Sequence, residues 1–311
     1  MIWNSLHTHT TFSYGDGFGT VWDHVERVEA LGMKSLALTE HGNPSSWVQL
    51  EKCCKAKGIK PIFGLEAYIA SPNEPRKFHM ILLAKDQEGL VNLNSIITAS
   101  WKTLGNTSKS KFPTVHADVL RKCSNGIIAL SGCSDSPIAC ILLGGKSFGE
   151  KRMELRDRDI QQARMAIERF QQIFDGRYYL EVQRFCDLPR TCLLNPALEN
   201  LSGTTGSNLV ATADVHYPYP NENVLQRVLH SAHRGSTVES VDASWEYDIR
   251  LTYPLTDKEI YRDLVKTGLS PEAAKRSVEN TVTVADQCNV VLPKAPPPKY
   301  VLGQYDWDKW T

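Results

Sequence analysis

Along the first two thirds of the chain, short apolar runs alternate with longer segments in which apolar residues recur at helical spacing. Short apolar runs bounded by turn residues are typical of buried strands. Alternating strands and helices are typical of an α/β layered or barrel fold. We therefore predict an α/β protein in which seven strands nearly close a barrel. The predicted strands are WNSL (3–6), SLALT (35–39), KPIFGLEAYIA (60–70), FHMILLA (78–84), GIIALSG (126–132), RYYLEV (177–182) and NLVATAD (208–214).

The segments between these strands have the pattern of amphipathic helices. VWDHVERVEALG ends at Gly32 and SWVQLEKCCKAKG ends at Gly58, as expected because glycine is favoured just after a helix. RDIQQARMAIERFQQIF predicts a third, longer helix with one apolar face.

The pattern changes after about residue 235. TDKEIYRDLVKTG and SPEAAKRSVENTVTVADQCNV predict two helices without strands. LPKAPPPKYVLGQ is rich in proline and predicts an extended tail, which the frayed end YDWDKWT follows. We therefore divide the chain into a domain over 1–235 and a helical extension with a proline-rich tail over 236–311.

Composition limits the classes of protein that fit. The 311 residues are 41% apolar, which is enough for a sizeable core. Lys plus Arg equals Asp plus Glu at 35 each, which disfavours a tight, non-specific DNA binder, although a local basic patch stays possible. No apolar stretch is long enough to predict a membrane span, and no basic segment precedes an apolar run at the N-terminus, so we expect a cytoplasmic protein. The eight cysteines form no CxxC pair, which favours reduced thiols.

Potential metal ligands follow five of the predicted strands. Because residues i and i+2 of a strand face the same side, the histidines of HTH would project together. Carboxyl ends of parallel strands meet at one edge, where α/β proteins gather their chemistry. Imidazole, thiol and carboxylate groups there predict a metal site. The residues concerned are His7 and His9, Glu40 and His41, Glu66, Cys133, and Asp214 and His216.

An ordered series of motifs resembles the polymerase-and-histidinol-phosphatase (PHP) domain, and in particular the PHP domain at the N-terminus of bacterial replicative DNA polymerase III alpha subunits. The resemblance covers about residues 1–292. Its motifs are HTH, GMKSLALTEHGN, GIKPIFGLEAYI, ILLAKDQEGLVNL, GIIALSGC, DGRYYLEVQR, VATADVHY and SVENTVTVADQCNV.

The resemblance implies a distorted (β/α)7 barrel that holds a trinuclear metal centre, with the helical extension after it. It assigns nine metal ligands, all present in this chain: His7, His9, Asp16, His41, Glu66, His79, Cys133, Asp214 and His216. Glu40 stands where the family commonly has aspartate, so we expect its contact to a ligand to be longer or indirect. His79 begins its strand, which in a parallel sheet is the wrong end for a ligand, so we expect that strand to be irregular or displaced.

The resemblance implies up to three divalent ions, and the mixed donor set suits zinc, manganese or iron, with magnesium possible. Such ions activate water for attack on a phosphate ester, so we predict a metal-dependent phosphoesterase in which Glu66 and Asp214 are the catalytic carboxylates. We assign substrate contacts to Tyr14 and Arg184. The four remaining histidines are predicted to be ordinary helix or loop residues: His24, His116, His230 and His233.

The substrate stays open between three classes. The polymerase resemblance favours 3′ to 5′ exonuclease or proofreading activity on nucleic acid, with no polymerase activity expected of this chain. Histidinol-phosphatase relatives favour a small phosphate monoester. A metal-stabilised scaffold that docks a DNA polymerase or another replication protein needs the same ligands without turnover.

Overall fold

The computed structural model describes residues 1–70, 77–104, 112–144, 154–242 and 249–294. Its strands are β1 (Ser35–Leu38), β2 (Lys60–Ala70), β3 (Lys77–Ala84), β4 (Thr114–Val115), β5 (Ile127–Leu130), β6 (Tyr178–Gln183) and β7 (Leu209–Thr212). Its α-helices are α1 (Val21–Ala30), α2 (Trp47–Lys57), α3 (Gln87–Trp101), α4 (Ala117–Lys122), α5 (Pro137–Leu142), α6 (Asp157–Ile173), α7 (Pro189–Thr205), α8 (Asn223–Arg234), α9 (Val238–Asp242), α10 (Asp257–Lys266) and α11 (Pro271–Gln287). A 3₁₀-helix spans Pro220–Glu222.

The strands form one mixed sheet in the order β1-β2-β3-β5-β6-β7, with β4 paired to β2. Six of the seven predicted strands are present, whereas WNSL is not a regular strand and the short β4 was not predicted. Gly58, predicted to end a helix, adopts the left-handed conformation (φ 66°) directly after α2. The predicted proline-rich tail from residue 295 onward, and the predicted frayed end YDWDKWT, lie outside the described residues.

The N-terminal segment 5–9 takes the place of the missing strand and joins the two edges of the sheet. On one side Ala37 N donates to Ser5 O at 2.9 Å and Thr39 N donates to Thr8 O at 2.9 Å. On the other side Val215, just beyond β7, exchanges hydrogen bonds with the segment: its N donates to His7 O at 3.1 Å, and its O accepts from His9 N at 2.7 Å. The sheet is therefore curled and closed by an irregular segment, as the prediction of a distorted barrel requires.

The direction of β3 corrects the expectation about His79. This strand is regular, but it pairs antiparallel with both β2 and β5. The start of an antiparallel strand lies at the same edge of the sheet as the ends of its parallel neighbours. His79 therefore stands at the correct edge without any irregularity or displacement of the strand.

Alternate residues of the strands face two different cores, because side chains of a strand point in turn to either face. One set, which includes Leu36, Phe63 and Leu82, packs beneath the surrounding helices. The other set faces the inside of the barrel and includes Ala37, Ile62, Ile81, Tyr179 and Val210. Farther along the same strands, this inner face carries Glu66, His79, Glu181 and Thr212. The polar site and the inner apolar core therefore occupy successive layers of one barrel.

The two helices predicted after residue 235 are present as α10 and α11, and both pack on the barrel. Val284, Ala285 and Cys288 belong to the inner core, so the end of α11 closes the barrel opposite the polar layer. The Asp257 carboxylate, at the start of α10, accepts hydrogen bonds from the backbone of Ile2 and Trp3. The boundary at residue 235 stays a prediction.

Two further expectations concern the whole chain. All eight cysteines are free thiols, which agrees with the prediction of reduced cysteines. Within the described ranges, no helix combines the length and the apolarity needed to cross a membrane.

The buried His24 makes folding stability depend on pH. Its Nε2 donates to Phe18 O at 2.9 Å, and its Nδ1 lies 2.8 Å from the Tyr253 hydroxyl. Burial lowers the pKa of His24 from 6.5 to about 4. Between these values the unfolded chain binds a proton that the folded chain does not, so this stabilising contribution is complete above pH 6.5 and decreases as pH falls.

We predict that the free energy of unfolding decreases by up to about 3 kcal/mol between pH 7 and pH 4 through His24 alone. The free energy of unfolding, measured with urea across this range, should depend less steeply on pH in His24→Gln than in the unsubstituted chain. The difference in slope should correspond to about one proton fewer taken up on unfolding. Equal pH dependence in the two proteins would contradict the assignment.

Candidate metal centre

The nine predicted ligands converge at the polar end of the barrel. Loops after β1, β5 and β7, the N-terminal segment and the loop that leads from it to α1 supply seven of them, while the inward faces of β2 and β3 supply Glu66 and His79. They surround or underlie a cavity of about 140 Å³. Its wall includes Asp16, His41, Glu66, His79, Cys133, Asp214 and His216.

Glu66 lies between the two halves of this cluster. Its Oε2 is 2.8 Å from His7 Nε2 and 3.3 Å from His9 Nε2. Its Oε1 is 2.7 Å from His79 Nδ1 and 3.3 Å from His41 Nδ1. Each carboxylate oxygen thus lies close to a different pair of imidazoles. A carboxylate that bridges two ions is expected to have this arrangement.

His7, His9, Glu66 and Asp214 form the deeper group, in which one ligand atom from each lies within 4.8 Å of all the others. His7 Nδ1 is 2.8 Å from Glu181 Oε1, and a carboxylate there accepts the proton of that nitrogen. Nε2 is therefore the nitrogen of His7 that faces the cluster. A buried carboxylate behind a histidine is a common way to fix the tautomer of a metal ligand.

His9 is oriented by an indirect contact to Glu40. The Ser13 hydroxyl donates to Glu40 Oε2 at 2.5 Å and therefore accepts from His9 Nδ1 at 2.8 Å. Glu40 also accepts from the backbone and hydroxyl of Thr10. This contact through Ser13 is the indirect route expected where glutamate replaces aspartate.

A shallower group contains His9, His41 and His216, again with ligand atoms within 4.8 Å of one another. Both oxygens of Asp16 lie 3.1 Å from His41 Nε2, and one lies 4.0 Å from His216 Nε2. Burial alone would lower the pKa of His41, but the charges of Asp16 and Glu66 raise it to about 10. Burial, together with the charges of His41 and His216, lowers the pKa of His9 to about 3.

Two local backbone features place the ligands that follow β5 and β7. Asp214 has φ 45°, a left-handed conformation that aspartate tolerates better than most residues. Gly132 has φ 90°, and a Cβ there would lie 2.3 Å from His79 O. Glycine thus allows the loop to pass against β3, where Cys133 Sγ comes within 3.6 Å of His79 Nδ1.

The donor set fits divalent cations. Glu66 Oε1, Asp214 Oδ1 and His41 Nδ1 are buried, face the cluster and make no hydrogen bond of good geometry with the described residues, although they lie close to other ligand atoms. Buried polar atoms in folded proteins are nearly always satisfied, so these three atoms fit a role as metal ligands. Nitrogen, thiol and carboxylate donors together suit zinc, manganese or iron, and the arrangement allows more than one ion.

The structure separates the two predicted substrate contacts from this cavity. Tyr14 is 80% exposed and packs edge-on against His233. Arg184 is buried, and its guanidinium pairs with Glu259 and Asp263 of α10, so its position does not support a role in binding phosphate at the metal centre.

Sequence reasoning missed several residues at the site. Arg190 and His230 line the cavity, although His230 was predicted to be an ordinary helix residue. Gln183 Nε2 donates to Asp214 Oδ2 at 3.3 Å. Glu181 and Gln183 carried a usable signal, because two polar residues at i and i+2 in a buried strand must share a polar side.

Comparison with known families places this geometry in context. Residues 5–185 match the PHP domain family. The chain belongs to this family. The match begins with the segment that closes the barrel and ends just after β6, and with the curled sheet it confirms the predicted PHP fold.

Named relatives of this PHP chain are far longer than the chain itself. The DNA polymerase III alpha subunit of Helicobacter pylori strain J99 is 30% identical over 289 residues, which cover 91% of this chain and 22% of that protein. The Thermus aquaticus alpha subunit is 31% identical over 303 residues, which cover 93% of this chain and 23% of that protein. The chain thus spans about a quarter of the length of these curated relatives.

Similarity to solved structures is more distant. A candidate metal-dependent phosphoesterase from Bifidobacterium adolescentis is 15% identical with a TM-score of 0.43, over 69% of this chain and 87% of that one. An amidohydrolase from Chromobacterium violaceum is 18% identical with a TM-score of 0.37, over 69% of this chain and 88% of that one.

The contact between Glu181 and His7 predicts an effect on metal binding. Glu181→Gln removes the charge that holds the proton on His7 Nδ1, so we expect zinc affinity to fall by roughly 10- to 100-fold. Titration against a chromogenic chelator measures this change, with the exposed Glu168→Gln on α6 as the control of equal charge change. Equal affinity in Glu181→Gln and Glu168→Gln would refute the role.

The burial of Arg184 predicts an effect on stability. Arg184→Met leaves Glu259 and Asp263 without the guanidinium that pairs with both, so the free energy of unfolding should decrease by about 3–5 kcal/mol. Adding Glu259→Gln and Asp263→Asn should restore most of the loss in urea unfolding, because the buried charges are then removed. Normal stability with lost hydrolysis in Arg184→Met would instead support the predicted contact to phosphate.

Proposed function

We propose that this chain is a metal-dependent phosphoesterase that removes nucleotides from the 3′ end of DNA. The convergence of eight other ligand side chains around Glu66 carries the first part of the proposal. Likeness to DNA polymerase III alpha subunits over 91–93% of the chain supports DNA as the substrate.

Bound divalent ions would lower the pKa of water and neutralise the charge of a phosphate ester. His7, His9, Glu66 and Asp214 would hold the deeper ions, while Asp16, His41, His79, Cys133 and His216 would complete the cluster. Glu66 and Asp214 also line the cavity in which the ester would lie, so they stay the proposed catalytic carboxylates.

Other side chains of the chain prepare the site for substrate. Glu181 and the Ser13–Glu40 pair keep the imidazoles of His7 and His9 in the ligating tautomer. Arg190 lies in the cavity wall, and its guanidinium would contact a phosphate oxygen. It replaces Arg184 in the proposed set of substrate contacts.

A phosphate monoester is the second candidate substrate. The cavity of about 140 Å³ accommodates a phosphate group with a small substituent, which favours a small molecule. The likeness to alpha subunits favours DNA, and it also supports a replication protein as partner.

The deciding assay compares these substrates directly. We expect protein loaded with Mn²⁺ or Zn²⁺ to release labelled mononucleotide from 3′-labelled single-stranded DNA and to shorten 5′-labelled DNA progressively. Chelator and His9→Ala should each abolish the reaction, because His9 belongs to both ligand groups.

p-Nitrophenyl phosphate serves as the monoester in parallel. Cleavage of this compound alone would move the assignment to a phosphatase. No cleavage of either substrate by metal-loaded protein would favour the non-catalytic scaffold.

A further inference from the structure

A second cavity, of about 200 Å³, lies beside the metal centre. The two cavities share three wall residues, Phe185, Leu188 and Ile249. Phe185 and Leu188 follow β6 directly, so the shared wall begins where the strand leaves the metal site. The two cavities are therefore adjacent, and the wall that they share is apolar.

The second cavity carries an excess of positive charge. Arg250, Arg262 and Lys266 line it and are exposed to solvent. Arg184 and Asp263 also line it, but the guanidinium of Arg184 is already neutralised by Asp263 and Glu259. The remaining carboxylate in the wall is Asp187. The wall therefore holds four cations, Arg184, Arg250, Arg262 and Lys266, against two carboxylates, Asp187 and Asp263. Glu259, beside the wall, also pairs with Arg184, and Arg262 lies 3.4 Å from Asp263.

This arrangement differs from the metal centre in chemistry. The first cavity is rich in carboxylates and needs cations before it can accept a phosphate, whereas the second presents guanidinium and ammonium groups of its own. Such groups bind phosphate oxygens, and a polynucleotide presents one phosphate per residue. A monoester has a single phosphate, which the metal centre would take.

We propose that the second cavity binds a backbone phosphate of a nucleic-acid strand whose 3′ end lies at the metal centre. This proposal rests on the proposed function. The cations of the second cavity would make a nucleic-acid strand, rather than a small ester, the preferred substrate. Arg250 and Lys266 supply the contacts to phosphate, and the shared apolar wall supports the sugar and base between the two sites.

Binding tests the subsite separately from turnover. Fluorescence anisotropy of a labelled twelve-residue oligothymidylate measures affinity for the full chain loaded with Ca²⁺, which supplies charge at the metal centre. We expect Arg250→Ala/Lys266→Ala to bind roughly tenfold more weakly, and the slope of log affinity against log salt to decrease by about one.

Two matched variants serve as controls. Lys55→Ala/Lys275→Ala removes two exposed cations, on α2 and α11, that pair with Glu51 and Glu279 away from this cavity. It should bind within about twofold of the unsubstituted chain, since neither residue lies in the proposed path. The exchange Arg250→Lys/Lys266→Arg keeps both charges and should also retain binding. Circular dichroism melting checks that every variant is folded.

The outcomes separate the subsite from the proposed function. Equal loss of binding in both alanine pairs, or no loss in either, would overturn the subsite, as would absence of binding by the unsubstituted chain. Selective loss in Arg250→Ala/Lys266→Ala supports it. If that selective loss occurs while the unsubstituted chain fails to hydrolyse DNA, the subsite stands and the exonuclease proposal fails.

Discussion

Hydrogen bonds from segment 5–9 to both edges of the sheet are the constraint on which the rest of the structure depends. Ser5 and Thr8 accept from the β1 side, while His7 and His9 bond to Val215 beyond β7. The same short segment projects His7 and His9 into the ligand cluster. The hydrogen bonds that close the barrel therefore also position two members of the deeper ligand group, His7 and His9.

Residues outside the ligand set orient two of the ligands, His7 and His9. Glu181 accepts from His7 Nδ1, and Ser13, which donates to Glu40, accepts from His9 Nδ1, so each imidazole turns its Nε2 toward the cluster. Thr212 donates to Glu181 at 2.6 Å and thereby holds the carboxylate in place. Such contacts fix orientation in advance, and they lower the cost of ordering the ligands when an ion binds.

Much of the fold was predictable because two sequence patterns, short apolar runs and apolar residues at helical spacing, indicate most of its strands and helices. Short apolar runs identified six strands, and the ligand-type residues in or just after them located Glu66, His41 and Asp214. Strand direction was not predictable, because an apolar run reads the same in both directions; this is why His79 seemed misplaced. The partners of Arg184 were hidden for another reason, since Asp263 lies 79 positions along the chain and only the packing of α10 brings the two together.

Because the end of α11 packs into the barrel opposite the ligands, the chain leaves the barrel at that end. Val284, Ala285 and Cys288 enter the inner core at the end opposite the ligands, and Asn289 N then bonds to Lys85 O beyond the end of β3. Asn289 is thus held at the edge of the sheet opposite the ligands. A force applied to the chain at this residue would act first on the Asn289–Lys85 hydrogen bond and on the inner apolar core, and not on an imidazole.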